Sequence, residues 1–504
     1  MTKEFNLGEA RLNVKLCMSI LNKKTSITLS EKARENIIAS AERVNNIVQS
    51  NQTVYGINTG FGPLCTVKIS AEETKKLQEN ILKSHAVGVG NPLSDDLVRL
   101  MLLTKIHALA KGYSGIQLTT IERIKFLFDN DILPIVPEQG SVGASGDLAP
   151  LSHLFLPLIG LGKVKYKGKI VETEEVYKEF DLSPIELGAK EGLALINGTQ
   201  FILAHAVLAV NRMKNTLENA DLIGSMMLDA LKGSLSPFKS ELHKIRPFKG
   251  TRKVAKNIRK YLRGSEIPDS HIFCDRVQDP YSLRCMPQVH GASRNAWKHL
   301  KKLTEIELNA VTDNPIITLD GNAISGGNFH GQPLAMVLDY ASIAVAELGN
   351  IADRRVYLSL EGEKVGLPKL LLKETGLNSG FMILQYTTAA LVTENKSLLF
   401  PPSGDSVPTS MGQEDHVSMG SISGRKLNQI LDNVEKIQAI ELITASQALD
   451  FVRPLKSSEI IEKLHAEVRK EIPHFTQDEI FSEAIEKGIQ IIKSQVLQQI
   501  RKNK

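Results

Sequence analysis

Three long stretches with helical periodicity and broad apolar faces constrain the fold of this chain more than any other feature. They cover residues 200–231, 333–360 and 425–450. In the third stretch, apolar residues recur at the spacing of bundle helices, at Leu427, Ile430, Leu431, Val434 and Ile437. Long helices with broad apolar faces bury them against one another or against a second subunit. The sequence therefore predicts a mainly α protein with a long central helical bundle.

The character of the sequence changes along its 504 residues, and this predicts three regions. Residues 1-196 carry shorter amphipathic stretches and form a smaller N-terminal lobe. Within this lobe, short alternating runs of Gly, Lys and β-branched residues over 163–190 predict minor β content. Residues 197-453 carry the long helices, and residues 454-504 return to charged amphipathic helices that form a C-terminal cap.

Composition describes a soluble globular protein and gives no case for nucleic-acid binding. Hydrophobic residues make up 42% of the chain and charged residues 23%, with a small formal net charge of +5. The four cysteines are scattered without zinc-type pairing, which suits a reducing compartment. The N-terminus has no apolar signal region, and no uninterrupted apolar run approaches the roughly 20 residues that span a bilayer. We expect a cytoplasmic protein.

A loop of small residues at 140–150, with the sequence GSVGASGDLAP, allows three interpretations. An ordinary glycine-rich turn is the commonest. A phosphate-binding loop does not fit, because its glycine spacing differs and the charge of Asp147 repels phosphate. The third is a prosthetic group made from the chain itself, since Gly146 permits a turn tight enough for a peptide nitrogen to approach the carbonyl carbon of Ala144.

The sequence Ala144-Ser145-Gly146-Asp147 resembles the signature of the aromatic amino acid ammonia-lyase family. The resemblance extends from Tyr55 to about Pro454. In this family, the Ala-Ser-Gly triplet cyclises and loses two waters to give the electrophile 4-methylidene-imidazol-5-one (MIO). The resemblance thus implies that Ala144, Ser145 and Gly146 become the cofactor, joined by an Ala144–Gly146 cross-link with Ser145 dehydrated, and that no external cofactor is needed.

A second loop begins at Tyr55 and reads YGINTGFGP. Three glycines and a proline leave Tyr55 in irregular structure, where catalytic groups often lie. The commoner role of a tyrosine is to pack its ring and donate its hydroxyl to a carbonyl. The segment is similar to the family's YGxNTGFG loop, whose tyrosine is the catalytic base, and this implies the same role for Tyr55.

His85 falls on one helical face with Leu77 and Ile81, so its periodicity alone favours a buried, hydrogen-bonded histidine. The Ser84-His85 pair, however, is similar to the position that determines substrate in the family, where members acting on histidine carry Ser-His. The resemblance therefore implies a polar aromatic ring as substrate.

The sequence Gln413-Glu414-Asp415-His416 clusters acids with a histidine and invites a metal assignment. Successive residues of a helix point about 100° apart, so these side chains do not converge on one ion, and we predict no metal. The stretch is similar to the QEDHVSM of family members acting on histidine. This implies that Glu414 lies near the imidazole and amine of the substrate and acts in catalysis.

Three further segments carry polar or aromatic side chains that match the family. Asn197, at a helix start, is suited to capping, and the resemblance places it beside the amine and carboxylate of the substrate. The segment QDPYSLR implies a carboxylate clamp by Arg284, with Gln278 and Tyr281 beside the substrate. Phe329, in the segment NFHG, is implied to lie against the prosthetic group. Met286 departs from many family members and leaves the pocket edge open.

Together these features predict non-oxidative deamination of L-histidine to trans-urocanate and ammonia by a homotetramer with shared active sites, as the family implies. Deamination of tyrosine and a 2,3-aminomutase reaction remain open within the family. A fumarase-like lyase with a serine base is disfavoured because its GSSxMPxKxN loop is missing from the sequence. A catalytically inactive binding scaffold also remains open.

Overall fold

Long α-helices dominate the structure, a computed structural model that describes residues 3–50, 53–60, 62, 69–271, 276–362, 366–494 and 496–502. The helices of the first 196 residues are short to medium in length: α1 Val14–Leu21, α2 Glu31–Gln49, α3 Ala71–His85, α4 Asp95–Leu109, α5 Leu118–Asp129, α6 Leu148–Phe155, α7 Thr173–Glu179 and α8 Glu191–Ile196. Those that follow include the longest of the chain: α9 Gln200–Ala230, α10 Ser240–Ile245, α11 Lys249–Tyr261, α12 Tyr281–Arg284, α13 Met286–Glu307, α14 Gln332–Leu360, α15 Met382–Ser397, α16 Gly420–Asp450, α17 Glu459–Glu471, α18 Phe481–Lys493 and α19 Val496–Lys502.

The predicted fold class, a mainly α protein with long bundle helices and minor β content, is confirmed. The helices α9 and α16 each have 31 residues and α14 has 29. They coincide with the three apolar stretches of the sequence, except that α16 begins five residues before the predicted start, at Gly420. Of the described helices, α14 has the length and apolar composition to cross a membrane, and 67% of its apolar window is buried within the protein.

The strands are short and, within the described residues, form four small sheets. Two of them pair strands from distant parts of the N-terminal region: β1 Lys3–Asn6 runs parallel to β2 Thr25–Thr28, and β3 Val89–Pro92 runs antiparallel to β5 Pro137–Gln139. The others are antiparallel, with strand orders β4 Leu133–Pro134, β6 Lys163–Tyr166, β7 Lys169–Glu172, and β8 Ile316–Ile317, β9 Ala323–Ile324.

The β content predicted over 163–190 is confined to the hairpin β6–β7. Its turn residues Lys167 and Gly168 have φ of 48° and 77°, as a two-residue hairpin turn requires. Helix α7 follows at once, because Glu174 and Glu175 lie in its first turn and interact favourably with the helix dipole.

Serine side chains cap the N-termini of two helices in the N-terminal region. The Ser30 hydroxyl accepts from Ala33 N at 3.2 Å, and the Ser70 hydroxyl accepts from Glu73 N at 3.3 Å. Ser70 also donates to the Glu73 carboxylate at 3.0 Å, which completes part of a capping box. Each cap contributes about 1 kcal/mol to helix stability. The cap of α3 fixes the start of the helix that ends at His85.

The chain forms two compact units, each made of three chain segments. Unit 1 comprises Met1–Asn211, Leu300–Asp339 and Pro401–Arg425, and contains all of the strands in the described residues. Unit 2 comprises Arg212–His299, Tyr340–Phe400 and Lys426–Lys504. Its core is a large cluster of fully buried Leu, Ile, Met and Ala side chains from α9, α11 and α14 to α19. The division of the sequence at 196 and 453 followed changes in helix length, and it stays a prediction.

Candidate active site

The loop of small residues at 140–147 has a backbone conformation that depends on its glycines. Ser145 and Gly146 have φ of 50° and 84°, so two successive residues lie in the left-handed region. A Cβ on Gly146 would lie 2.2 Å from the carbonyl oxygen of Gly198. Gly146 is therefore required both for the tight turn and for the close approach of the 198 backbone.

Backbone hydrogen bonds hold this turn in place within unit 1. Asp147 N donates to Gly198 O at 2.7 Å, and Gly198 N donates to Ser145 O at 3.4 Å. On the other side, Met419 N donates to Val142 O at 2.9 Å, and the Ser421 hydroxyl donates to Ser141 O at 2.9 Å. The loop is thus clamped between the residues that precede α9 and the start of α16.

Asp147 is buried, and its carboxylate accepts a hydrogen bond from the backbone at the start of α9. Ile202 N donates to its carboxylate at 3.0 Å and the Ser141 hydroxyl donates at 3.3 Å. Burial raises the pKa of Asp147 to about 7, although these hydrogen bonds act in the opposite direction. A carboxyl group with such a pKa can exchange a proton near neutral pH directly beside the Ala-Ser-Gly triplet.

Ser145 faces a cavity of about 880 Å³ that belongs to unit 1. Four other residues singled out in the sequence line the same cavity, namely Tyr55, His85, Asn197 and Glu414. Apolar side chains form much of the remaining wall: Ile69, Leu77, Ile81, Leu148, Leu193 and Ile196. The structure thus brings together, within one chain, residues that lie up to 359 positions apart in the sequence.

Glu414 is held in this cavity by three hydroxyl donors. The Ser145 hydroxyl donates to Oε1 at 2.7 Å, while Thr409 and Ser410 donate to Oε2 at 3.1 and 2.8 Å. Backbone bonds between Thr409 and Glu414 close the turn that carries these groups. The carboxylate therefore has a fixed orientation and contacts the serine of the triplet directly.

The helical geometry assumed for 413–416 is wrong. Ser410, Met411 and Met419 have φ of 50°, 54° and 54°, and these left-handed residues keep the segment irregular until α16 begins at Gly420. Among the described residues, no group of three His, Cys, Asp or Glu side chains is placed to hold a metal ion.

His85 ends α3 and lines the cavity with Leu77 and Ile81 of the same helix. Its Nδ1 lies 2.9 Å from the Ser84 hydroxyl. Burial lowers the pKa of His85, opposed by a bond to the Ile81 carbonyl and by the charge of Glu414. The lowered pKa favours the neutral imidazole, which has one donor and one acceptor nitrogen.

Tyr55 lies on the loop between α2 and α3, and its side chain is half-buried. Its hydroxyl accepts a hydrogen bond from Gly62 N at 3.3 Å. A donor of this kind favours the phenolate over the phenol. Two residues of the predicted loop, Phe61 and Pro63, lie outside the described residues.

Asn197 is 2% exposed and does not cap α9 with its side chain. Its Nδ2 donates to Asn314 O at 2.8 Å, and its buried Oδ1 has no hydrogen-bond partner among the residues that the structure describes. A buried acceptor of this kind is costly unless a ligand supplies the donor. Because Asn197 lines the cavity, its Oδ1 is suited to accept from a bound ammonium or amine.

Lys105 contributes a contact that the sequence did not reveal. It is 2% exposed within α4 and donates to the carbonyl oxygen of Asn197. Burial lowers its pKa to about 7; the charge of Asp313 opposes this shift, and the charge of Lys190 adds to it. Lys190 in turn donates to Asp313 at 2.7 Å, and both are buried. The one available signal was a lysine within the otherwise apolar run LMLLTKIHAL.

Six predicted site residues are not part of this cavity lining: Ala144 and Gly146, which flank Ser145 in the turn, and Gln278, Tyr281, Arg284 and Phe329. Gln278, Tyr281 and Arg284 belong to unit 2, where Gln278 and Tyr281 are exposed. The Arg284 guanidinium lies 4.4 Å from the centre of the Tyr281 ring, and its Nε donates to Asp279 O at 2.9 Å. Phe329 is half-buried in unit 1 and also lies outside the cavity lining.

The structure combines long helices with a left-handed turn at Ser145 and Gly146, and the Ser145 hydroxyl contacts the Glu414 carboxylate. The sequence profile of the aromatic amino acid lyases matches residues 12–470, so the chain belongs to the aromatic amino acid lyase family. It is an enzyme of the carbon–nitrogen lyase class.

Individual relatives are similar over nearly their whole length. The chain is 46% identical to a histidine ammonia-lyase of Natranaerobius thermophilus over 97% of this chain and 96% of that one. The structure resembles histidine ammonia-lyase from Trypanosoma cruzi with a TM-score of 0.91 and 39% identity, covering 99% of this chain and 95% of that one. Tyrosine aminomutase from Streptomyces globisporus gives a TM-score of 0.93 at 33% identity, covering 99% and 98%.

Proposed function

We propose that the protein deaminates L-histidine to trans-urocanate and ammonia, as a histidine ammonia-lyase. The observation that carries this proposal is that His85 and Glu414 face the same cavity as Ser145. A neutral imidazole and a carboxylate can hydrogen-bond a ring that has both a donor and an acceptor nitrogen. The relatives named histidine ammonia-lyase support the same choice of substrate.

The turn at 144–146 fits the prosthetic group that the family implies. Its left-handed backbone and the lack of space for a Cβ at Gly146 favour a compact ring formed from this triplet. When formed, MIO supplies the electrophile that makes ammonia a feasible leaving group from saturated carbon. Gly198, Asp147 and Glu414 hold the backbone and the serine hydroxyl of the turn in position.

Tyr55 serves as the base that removes the β-proton of the substrate. The reference pKa of a phenol is near 10, so the site has to favour the phenolate for this role. The Gly62 amide that donates to the Tyr55 hydroxyl acts in this direction.

Asn197, Glu414 and His85 bind the substrate in the cavity. The unpartnered Oδ1 of Asn197 accepts from the amine, and Glu414, held by Thr409 and Ser410, faces the amine and the imidazole. His85 completes the recognition of the ring. We assign the substrate carboxylate to Arg284, whose planar guanidinium suits bidentate binding.

The remaining assignments depend on assembly. We propose a cytoplasmic homotetramer in which more than one subunit lines each active site, with Gln278 and Tyr281 beside the substrate and Phe329 against the prosthetic group. Tyr281 has a relative exposure of 69% in the single chain, which suits a residue that is completed by another surface.

Turnover of L-histidine in parallel with L-tyrosine tests the proposal. We expect absorbance of urocanate to grow with L-histidine and turnover of L-tyrosine to be lower by roughly 100-fold or more, because the single hydroxyl of a phenol is placed differently from the two imidazole nitrogens and pairs less well with His85 and Glu414. Equal or faster turnover of tyrosine would reassign the protein as a tyrosine ammonia-lyase.

An aromatic 2,3-aminomutase is the second candidate, favoured by the similarity to tyrosine aminomutase at a TM-score of 0.93. Product analysis separates the two reactions. Release of ammonia with an unsaturated acid indicates the lyase, whereas a β-amino acid indicates the mutase.

A further inference from the structure

Positive charge is concentrated in one short segment of unit 2. Residues 239–263 contain ten Lys and Arg and one acidic residue, Glu241, which gives a formal charge of +9. The rest of the chain has 51 basic and 55 acidic residues, a formal charge of −4. The small net charge of the whole protein therefore conceals a strongly basic surface.

Helix α11 arranges this charge on one side. Lys249, Arg252, Lys253, Lys256 and Arg259 recur at steps of one, three or four residues and share a face. The opposite face, with Val254, Ala255 and Ile258, is buried in the core. The cations line a groove of about 290 Å³ together with Lys244 and His243 of α10. Of the described residues that line it, none is acidic and none is Phe, Tyr or Trp.

Hydrogen bonds to one turn fix two walls of this groove. His243 Nε2 donates to Pro237 O at 2.9 Å, and Arg259 donates to Phe238 O. His243 is only 3% exposed, so the junction of α10 with this turn is rigid. The groove is thus a built feature of the fold and its shape does not depend on flexible lysines alone.

The cations of the groove form no close ion pairs within the described part of the chain. This holds for Lys244, Lys249, Arg252, Lys253, Lys256 and Arg259, although Lys244 interacts at longer range with Glu241. Elsewhere on the surface such pairs are common, for example Lys75 with Glu186 at 2.7 Å and Lys463 with Glu459. Like charges that share a confined groove repel one another, and an anion that binds between them relieves this repulsion.

We propose that this groove binds a small oligophosphate, with two or more linked phosphate groups, either free or as part of a nucleotide. Arg252 and Arg259 offer planar forks of donors that match phosphate oxygens, and the lysines add point charges. The volume is close to the lower limit of about 300 Å³ for small-molecule sites. A longer nucleic acid is disfavoured, because no aromatic side chain of the lining offers a stacking surface and the rest of the chain is net negative.

Calorimetric titration of the full-length protein with inorganic tripolyphosphate tests this site. The variant R252E/K256E changes two exposed residues of the groove, and the control K32E/K487E changes two exposed lysines elsewhere with the same change in net charge. We expect saturable binding to the parent and the control, and at least tenfold weaker binding to R252E/K256E. Sulfate at matched ionic strength should not compete effectively, since it has a single centre of charge.

A second titration with ATP distinguishes the two sources of the ligand. Binding equal to that of tripolyphosphate supports the phosphate chain alone, and tighter binding supports a nucleotide. Melting curves check that the variants are folded, and R252Q/K256Q with K32Q/K487Q repeats the comparison if charge reversal perturbs the fold.

Equal affinity of R252E/K256E and K32E/K487E would overturn the proposal, because net charge alone would then explain binding. It would also be overturned if no saturable binding were detected, or if a single-stranded oligonucleotide bound through the same residues more tightly than tripolyphosphate.

Discussion

The orientation of the Glu414 side chain is fixed by hydroxyl groups from two nearby residues of its own segment and from one residue that is distant in the sequence. Its two oxygens accept from three hydroxyls, one of which belongs to Ser145, 269 positions earlier in the chain. These bonds leave the carboxylate little rotational freedom. A fixed charge near the reacting atoms needs no reorganisation during the reaction, which is how electrostatic preorganisation accelerates a step.

Replacement of Glu414 by glutamine keeps the shape and removes the charge. We expect kcat for L-histidine to fall by about 100-fold or more, because a positioned general base or charge typically contributes this much. The neighbouring D415N is the matched control, since Asp415 is exposed and does not line the cavity. Steady-state kinetics of both variants checks the expectation, and an E414Q variant with half of the parent's kcat would contradict it.

For individual residues, the sequence predicts several side chains that line the cavity, but not all of the groups that these side chains contact. The motifs indicated Tyr55, His85, Ser145, Asn197 and Glu414, and these side chains line one cavity. Their roles stay predictions. Lys105 was missed because a lysine inside an apolar helix gives no sign of which carbonyl it meets, here that of Asn197.

The loop at 140–147 and the start of α16 form the element on which the site depends. Gly143 has φ of 72°, and a Cβ at this position would lie 2.2 Å from the Ser418 hydroxyl oxygen. Gly168 in the β6–β7 turn has a similar φ of 77°, yet nothing lies within 4 Å of its Cβ position. A comparison of substitutions at these two glycines therefore distinguishes the cost of a left-handed backbone from the cost of a steric clash.

Alanine at Gly143 should therefore cost more than alanine at Gly168. Left-handed backbone costs about 1–2 kcal/mol for a non-glycine residue in both variants, and the clash with Ser418 adds about 1–3 kcal/mol in G143A. We expect G143A to have the lower melting temperature and a smaller fraction of dehydrated triplet by mass. The double variant G143A/S418A should recover part of the loss, because removal of the hydroxyl leaves the Ser418 Cβ at 3.5 Å. Equal melting temperatures of G143A and G168A would contradict this explanation.

Periodicity predicts the long helices, because it is a local property of the sequence. The helices α9, α14 and α16 were predicted correctly, apart from the start of α16. The segment 413–416 was wrongly treated as helical, since the left-handed φ of Met411 and Met419 on either side of it depends on tertiary contacts such as the bond from Met419 N to Val142 O.

Over the whole molecule, unit 2 leaves large apolar side chains uncovered on α14 and α15. Tyr340, Ile343, Tyr357, Ile383 and Tyr386 are between 47% and 60% exposed. Exposed apolar groups on two long helices are typical of subunit interfaces. The sequence predicted α14 but not α15, and no local pattern determines which faces of the two helices are exposed in the single chain.

Light scattering tests the assembly. We expect a mass four times that of one chain, and we expect I383E/Y386E to dissociate because a buried interface does not tolerate unpaired carboxylates. L319E is the control, since Leu319 is exposed by 64% in unit 1. A monomeric parent, or an I383E/Y386E variant that remains tetrameric, would contradict the expectation.

The covalent state of the chain is the property on which the proposed function depends most. We expect Ala144, Ser145 and Gly146 to form an electrophile that deamination requires. The intact mass of the purified protein, measured beside that of S145A and with turnover of L-histidine recorded for both, tests it most directly. We expect the mass of the parent to be about 36 Da below that of the unmodified sequence, which is the mass of two waters. We expect the S145A variant to lack this full loss of mass and to have little activity. An unmodified parent that releases ammonia from histidine at full rate would contradict it.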